Sequence, residues 1–244
     1  MKSKFSKVLF ICVLVLLNGI AAWADTMIAP EVFLALTRSR AEQQNSFADL
    51  AGKVTHLRRN QGGAVRHDIR FVIRFDRAKV QALLMIDNDE KHFFERVFRK
   101  KNSSRTVCSK KGNTLLEQMG FFIGDLTMDF LEYPVVRELA GERYKTLACR
   151  VLLLRAADGG LVKVWIARDY LFPLRAEFFP AGASEADKAA RTLEITAFKK
   201  VGDYYTATDI ALLAKDFRSR IEFSNCKVMS ADDPAAKRDF QQLK

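Results

Sequence analysis

The chain has 244 residues, with 40 Lys and Arg against 29 Asp and Glu, a formal charge of +11. Its residues are 49% hydrophobic, enough for one sizeable core and too many for a disordered chain. The basic balance points to anionic partners such as phospholipid head groups. Nucleic acid is set aside, since no DNA- or RNA-reading motif is present. No HExxH, GxSxG, GxGxxG or P-loop occurs either, which argues against the common metal, hydrolase and nucleotide-binding classes.

The N-terminal stretch places Lys2, Lys4 and Lys7 before an apolar run from Val8 to Leu17 and ends in Ala22-Trp23-Ala24. That layout predicts a secretory signal peptide. The run is short for a bilayer span of about 20 residues. Residues 1–24 are read as removed on export and 25–244 as one domain. Cys12 lacks the small-residue surroundings of a lipid-attachment site.

"APEVFLALTRSRAEQQ" is the clearest helix, with Pro30 in its first turn, where a missing N–H costs nothing. Val32, Phe33 and Leu36 are expected on its apolar face. Strands follow from Phe47. In "VRHDIRFVIRFD", one alternate set runs Val65, His67, Ile69, Phe71, Ile73, Phe75, and the other is mostly charged. "KVQALLMID" adds Leu84 and Ile86 to the apolar side, and Phe94 belongs to the strand after the Asn-Asp turn. Short turns make these four strands an antiparallel meander.

"NTLLEQMGFFIGDLTMDFLEYPVV" alternates poorly and is read as irregular or short-helical over Thr114 to Val136. Six more strands are legible beyond it, in "YKTLACRVLLLRA", "LVKVWIARD", "FPLRAEFFPAG", "TLEITAFKKV", "YYTATDIALLA" and "FRSRIEFSNCKV". The tail, with Pro234 in its first turn, reads as a short exposed helix. The total is about ten or eleven strands, mainly β with few helices. A sheet that large must curl, split or close.

Candidate chemistry is sparse. The three histidines, His56, His67 and His92, have no metal spacing. "DNDE" at Asp87 to Glu90 reads as a hairpin turn rather than a calcium loop. Cys108 lies among Arg105, Lys110 and Lys111 but has no obvious base beside it. An oxidising compartment permits a disulfide between Cys149 and Cys226, both in strand-like segments. Three buried thiols are the alternative.

The succession "GFFIGDLTMDFLEYP", "GERYKTLACRVLLL", "VKVWIARDYLFPLRAEFFPAG" and "YYTATDIALLAKDFRSRIEF" resembles the LolA-like outer-membrane lipoprotein-sorting proteins of the bacterial periplasm. Gly124 to Phe130 is similar to the family's DLTxxDF segment. Cys149, Trp165 and the run Leu174 to Gly182 fall in its later strands. The resemblance covers nearly the whole mature chain. It implies an unclosed half-barrel with helices plugging the open side. It also implies a non-catalytic, cofactor-free, monomeric periplasmic carrier of lipoprotein or lipid acyl chains, loaded by an inner-membrane exporter and unloaded to an outer-membrane acceptor.

The expected cavity and lid residues are Val32, Phe33, Leu36, Phe71, Ile73, Phe75, Leu84, Ile86, Phe94 and Trp165. Trp165 alternates against Val162, Val164 and Ile166, which leaves its face open. The chain departs from the family in a polar loop at Gly182 to Ala190. It also shows no recognisable counterpart of the arginine that holds the lid shut in the best-known carriers. The other readings are an envelope interaction module with a filled β core and a hydrolase of envelope components.

Overall fold

The computed structural model describes residues 28–60, 62–100 and 103–243. The expected signal peptide and the start at Asp25 lie outside these residues. Helix α1 spans Pro30–Glu42. Strands β1 to β5 follow at Ser46–Arg58, Val65–Phe75, Lys79–Ile86, Glu90–Val97 and Arg105–Cys108. Two single-turn helices, α2 (Leu115–Gln118) and α3 (Ile123–Leu126), and a 3-10 turn at Asp129–Glu132 come next. Strands β6 to β9 are Val135–Tyr144, Leu147–Arg155, Leu161–Ala167 and Phe172–Phe179. Strands β10 to β12 are Arg191–Val201, Tyr204–Ala214 and Phe217–Ser230, and helix α4 is Pro234–Leu243.

The strands form one twelve-stranded sheet in the order β5-β4-β3-β2-β1-β12-β11-β10-β9-β8-β7-β6. Every neighbouring pair is antiparallel. The two edges, β5 and β6, are consecutive in sequence. The chain between them must pass from one edge of the sheet to the other. That crossover carries α2, α3 and the 3-10 turn, and its apolar side chains share one core cluster with the strands. The open side of the unclosed barrel is filled by the segment that connects its own edges.

Two strands beyond the ten read from sequence are present, β5 and β6. Strand β5 has four residues, three of them exposed, and β6 has no buried residue, so neither has an alternation to read. The left-handed backbone at Asp87 and Asn88 makes the expected hairpin turn between β3 and β4. Gly52 marks the bulge where β1 pairs β12, and a Cβ there would lie 1.9 Å from the Glu222 carbonyl oxygen.

The tail helix differs from expectation. One side of α4 is buried: Ala236 and Phe240 cluster with Phe47 and Val72 on the convex face. The charged face of β2 is therefore only partly in water, with Arg70 paired bidentately to Asp49. Among the described residues, no helix is long and apolar enough to cross a membrane.

Candidate functional site

The concave face collects most of the residues expected there. Phe71, Ile73, Leu84, Ile86 and Phe94 are buried in the main cluster, and Phe75 packs against it half-buried. Phe33 of α1 joins them. Against these lie seven side chains of the crossover: Leu116, Met119, Phe121, Ile123, Leu126, Phe130 and Leu131. A small void of ≈ 10 Å³ lies where Met128 and Phe130 meet Leu174, Ala176, Leu193 and Ile195.

Three expected residues lie elsewhere. Val32 and Leu36 are exposed at 52% and 43%, because α1 seats on Phe33, Leu34 and Thr37 instead. The tilt is set by Arg150 of β7. Its buried guanidinium lies 4.4 Å from the Phe33 ring, donates to the Ile28 carbonyl at 2.9 Å and forks onto Glu138. Trp165 belongs to a separate cluster with Cys149, Val151 and Leu174, while Val162, Val164 and Ile166 are in the main one. It faces the convex side, donates to Glu142 at 2.9 Å and is flanked by Lys163 and Arg175.

The Cys149–Cys226 disulfide is also corrected. Both thiols are free, on strands β7 and β12 with four strands between them. Cys149 packs in the convex cluster and Cys226 against the main one, so the pair has no bridging geometry. Burial pushes both thiols up from their ordinary range.

Polar groups hold the crossover at five points. At its start, the buried Glu90 carboxylate accepts from the amides of Leu115 at 2.7 Å and Leu116 at 3.1 Å, and pairs with His92 at 2.7 Å. Burial raises the Glu90 pKa, but these hydrogen bonds outweigh it and hold the group below its usual range. Thr114 and Glu117 add a capping box to α2. Next, Ser219 donates to the Met119 carbonyl at 2.6 Å with His56 behind it at 2.8 Å. Gly120 follows with φ +82 and the Phe217 ring where a Cβ would stand.

Three arginines grip the remainder. Arg191 of β10 donates to the buried Asp125 at 2.6 Å and lies 3.8 Å from the Phe178 ring. Arg96 of β4 donates to Asp129 at 2.7 Å. Arg38 of α1 donates to the carbonyls of Leu131 at 2.6 Å and Tyr133 at 3.2 Å. Arg38 thereby ties α1 to the end of the crossover. Its carbonyl acceptors have no residue signature, though an arginine one helical turn after buried Leu34 was a usable signal.

A thiol site is not organised at Cys108. Its sulfur lies 3.9 Å from His92 Nε2, the same nitrogen that meets Glu90. A general base needs one nitrogen free toward the thiol and the other held by the carboxylate. Glu90 is instead committed to the start of α2. His67, near the start of β2, pairs with Asp87 of the β3–β4 turn at 2.6 Å.

No family model matches the sequence, and no curated protein matches it either. Solved structures do match in fold. An outer membrane lipoprotein-sorting protein domain from Vibrio parahaemolyticus superposes with a TM-score of 0.59 at 13% identity, covering 87% of this chain and 97% of that one. A DUF1329 family protein from Desulfovibrio piger gives 0.58 at 14%, covering 88% and 98%. A LolA superfamily protein from Nitrosomonas europaea gives 0.53 at 16%, covering 85% and 96%. A curled, unclosed antiparallel sheet plugged by the crossover between its own edges is thus the fold this chain shares with the LolA-like lipoprotein-sorting proteins.

Proposed function

We propose that this protein is a non-catalytic carrier that shields acyl chains of a lipoprotein or another lipid during transfer between the inner and outer membranes. The observation that supports it is the plug. Seven apolar side chains fill the concave face, yet they come from one crossover anchored by a small set of polar contacts. Such a segment can leave as a unit and be replaced by chains of similar shape.

The magnitudes are compatible. Seven buried side chains at about 1.5–3 kcal/mol each hold the plug by roughly 10–20 kcal/mol gross. Two acyl chains of about a dozen buried carbons, at about 0.8 kcal/mol per methylene, offer roughly 20 kcal/mol gross. Ordering and displaced polar contacts reduce the latter. Near balance is what a carrier that both takes up and gives up its cargo requires. The expected residence is the periplasm as a monomer, with a membrane exporter and acceptor as partners.

Native mass spectrometry of protein purified from the periplasm tests this reading. Co-purified lipid of discrete mass is the expected result, and it should decline in an Ile73→Phe variant that crowds the interior. A tightly filled interior favours a second reading, an envelope interaction module. That reading stands if no lipid, lipopeptide or fatty acid binds while the plug remains protected from hydrogen exchange.

A further inference from the structure

The outer face of α1 has no role in the core. Ile28, Val32 and Leu36 recur every fourth residue and are 37%, 52% and 43% exposed. Val32 and Leu36, one turn apart, share one side of α1, and Ile28 lies just before its first residue. Arg40, also exposed, continues the line by one more turn. The stripe then meets a groove of ≈ 300 Å³ lined by Glu42, Gln43, Asn45, Arg77 and Arg99.

The groove is basic and loosely paired. The Arg77 and Arg99 side chains are 86% and 88% exposed, and each meets a single acid, Asp232 or Glu42, at 3.9 Å. Exposed pairs at that distance are worth little and exchange readily for a stronger anion. Asn45 donates through Nδ2 to Asp232 at 2.6 Å, leaving its buried Oδ1 without a partner.

We propose that this face docks the protein on an anionic bilayer, with the α1 stripe entering the interface and the groove taking a phosphatidylglycerol headgroup. Apolar side chains beside arginines fit the boundary between acyl chains and phosphates. The phosphate would meet Arg77 and Arg99. The net charge left once residues 1–24 with their three lysines are removed, +11 − 3 = +8, favours the same partner over a neutral surface. Glu31 is exposed within the same turn as Val32, and Glu42 faces the groove; both oppose anionic lipid and set an upper limit on affinity. This surface is separate from the concave interior, so the inference does not rest on acyl-chain carriage.

Co-sedimentation with phosphatidylcholine vesicles, with and without phosphatidylglycerol, tests it on the exported protein. Parent and variants share one N-terminus, so differences belong to the substituted positions. Binding is expected only when phosphatidylglycerol is present, and should weaken with salt. Val32→Glu with Leu36→Glu should weaken it at least about tenfold. Val32→Ser with Leu36→Ser repeats the test without adding charge, and thermal melting of each variant checks the fold. Arg77→Ala and Arg99→Ala should each weaken binding about fivefold. Ile73→Phe, which acts on the interior, should leave vesicle binding unchanged. Binding that ignores phosphatidylglycerol, or that survives both stripe variants, overturns the proposal. So does a parent dimer in sedimentation velocity that these variants dissociate, which would make the stripe a contact between copies.

Discussion

Arg38 Nε donates to the Leu131 carbonyl at 2.6 Å, joining α1 to a residue 93 positions later in the chain. A second donation to Tyr133 and a looser approach to Glu132 complete the clasp. Charge-assisted hydrogen bonds contribute about 1.5–3 kcal/mol each when removal strands a partner. The Arg38 side chain is 28% exposed, so the lower end applies.

Arg38→Leu is expected to cost about 2 kcal/mol of plug closure while leaving the sheet intact. Hydrogen exchange at residues 121–133 should speed up about thirtyfold, with the amides of β1 and β12 unchanged. Uniform acceleration across the protein would mean that Arg38 supports global stability instead.

Glu90 provides a pH dependence of known sign. Its folded pKa is depressed, because bonds from His92, Leu115 and Leu116 outweigh the burial that opposes them. The unfolded chain therefore binds more protons in that window, and stability rises with pH through it. The contribution is complete above the ordinary value of 4.5 and is lost as pH falls through the lowered folded value. Exchange protection around α2 should drop on acidification below about pH 4.5, and Glu90→Gln should remove that step. An unchanged acid profile in the variant would assign the step to another carboxylate.

Gly120 should tolerate no side chain. Its φ is +82, and an added Cβ would lie 2.3 Å from the Phe217 ring. Left-handed strain and overpacking together predict a loss of about 2–4 kcal/mol for Gly120→Ala. Chemical denaturation should report it, and Phe217→Leu in the same chain should restore part of the loss. No recovery would leave backbone strain alone as the cause.

Trp165 should be a poor reporter of acyl chains. It sits in the convex cluster, held by Glu142 between Lys163 and Arg175. Its emission should stay within noise when a long-chain fatty acid binds, whereas a tryptophan placed at Phe130 should shift. Glu142→Gln should move the Trp165 spectrum without altering ligand affinity. A saturable Trp165 response would connect the two faces through the sheet.

Intact mass checks the expected N-terminus. The Ala22-Trp23-Ala24 site predicts an exported protein that begins at Asp25. A retained leader or an attached lipid would contradict it.

Alternation in the sequence was sufficient to place Phe71, Ile73, Leu84 and Ile86 on one side of a meander, because strand side chains must alternate and the opposite set of β2 was mostly charged. The short-helical texture of residues 114–136 was legible for the same reason, since its apolar residues follow no period of two. Tertiary structure alone decided three things. The crossover fills the open side because it has to join β5 to β6, the two edges of an unclosed sheet, and no local pattern states which strands become edges. Helix α1 buries Phe33, Leu34 and Thr37 rather than Val32 and Leu36, because Arg150 and Arg38 set its rotation from distant strands and turns. Trp165 faces outward because β6 and Glu142 supply a partner on the convex side. Apolar period reports that a face is buried; which body buries it depends on contacts between residues far apart in the chain.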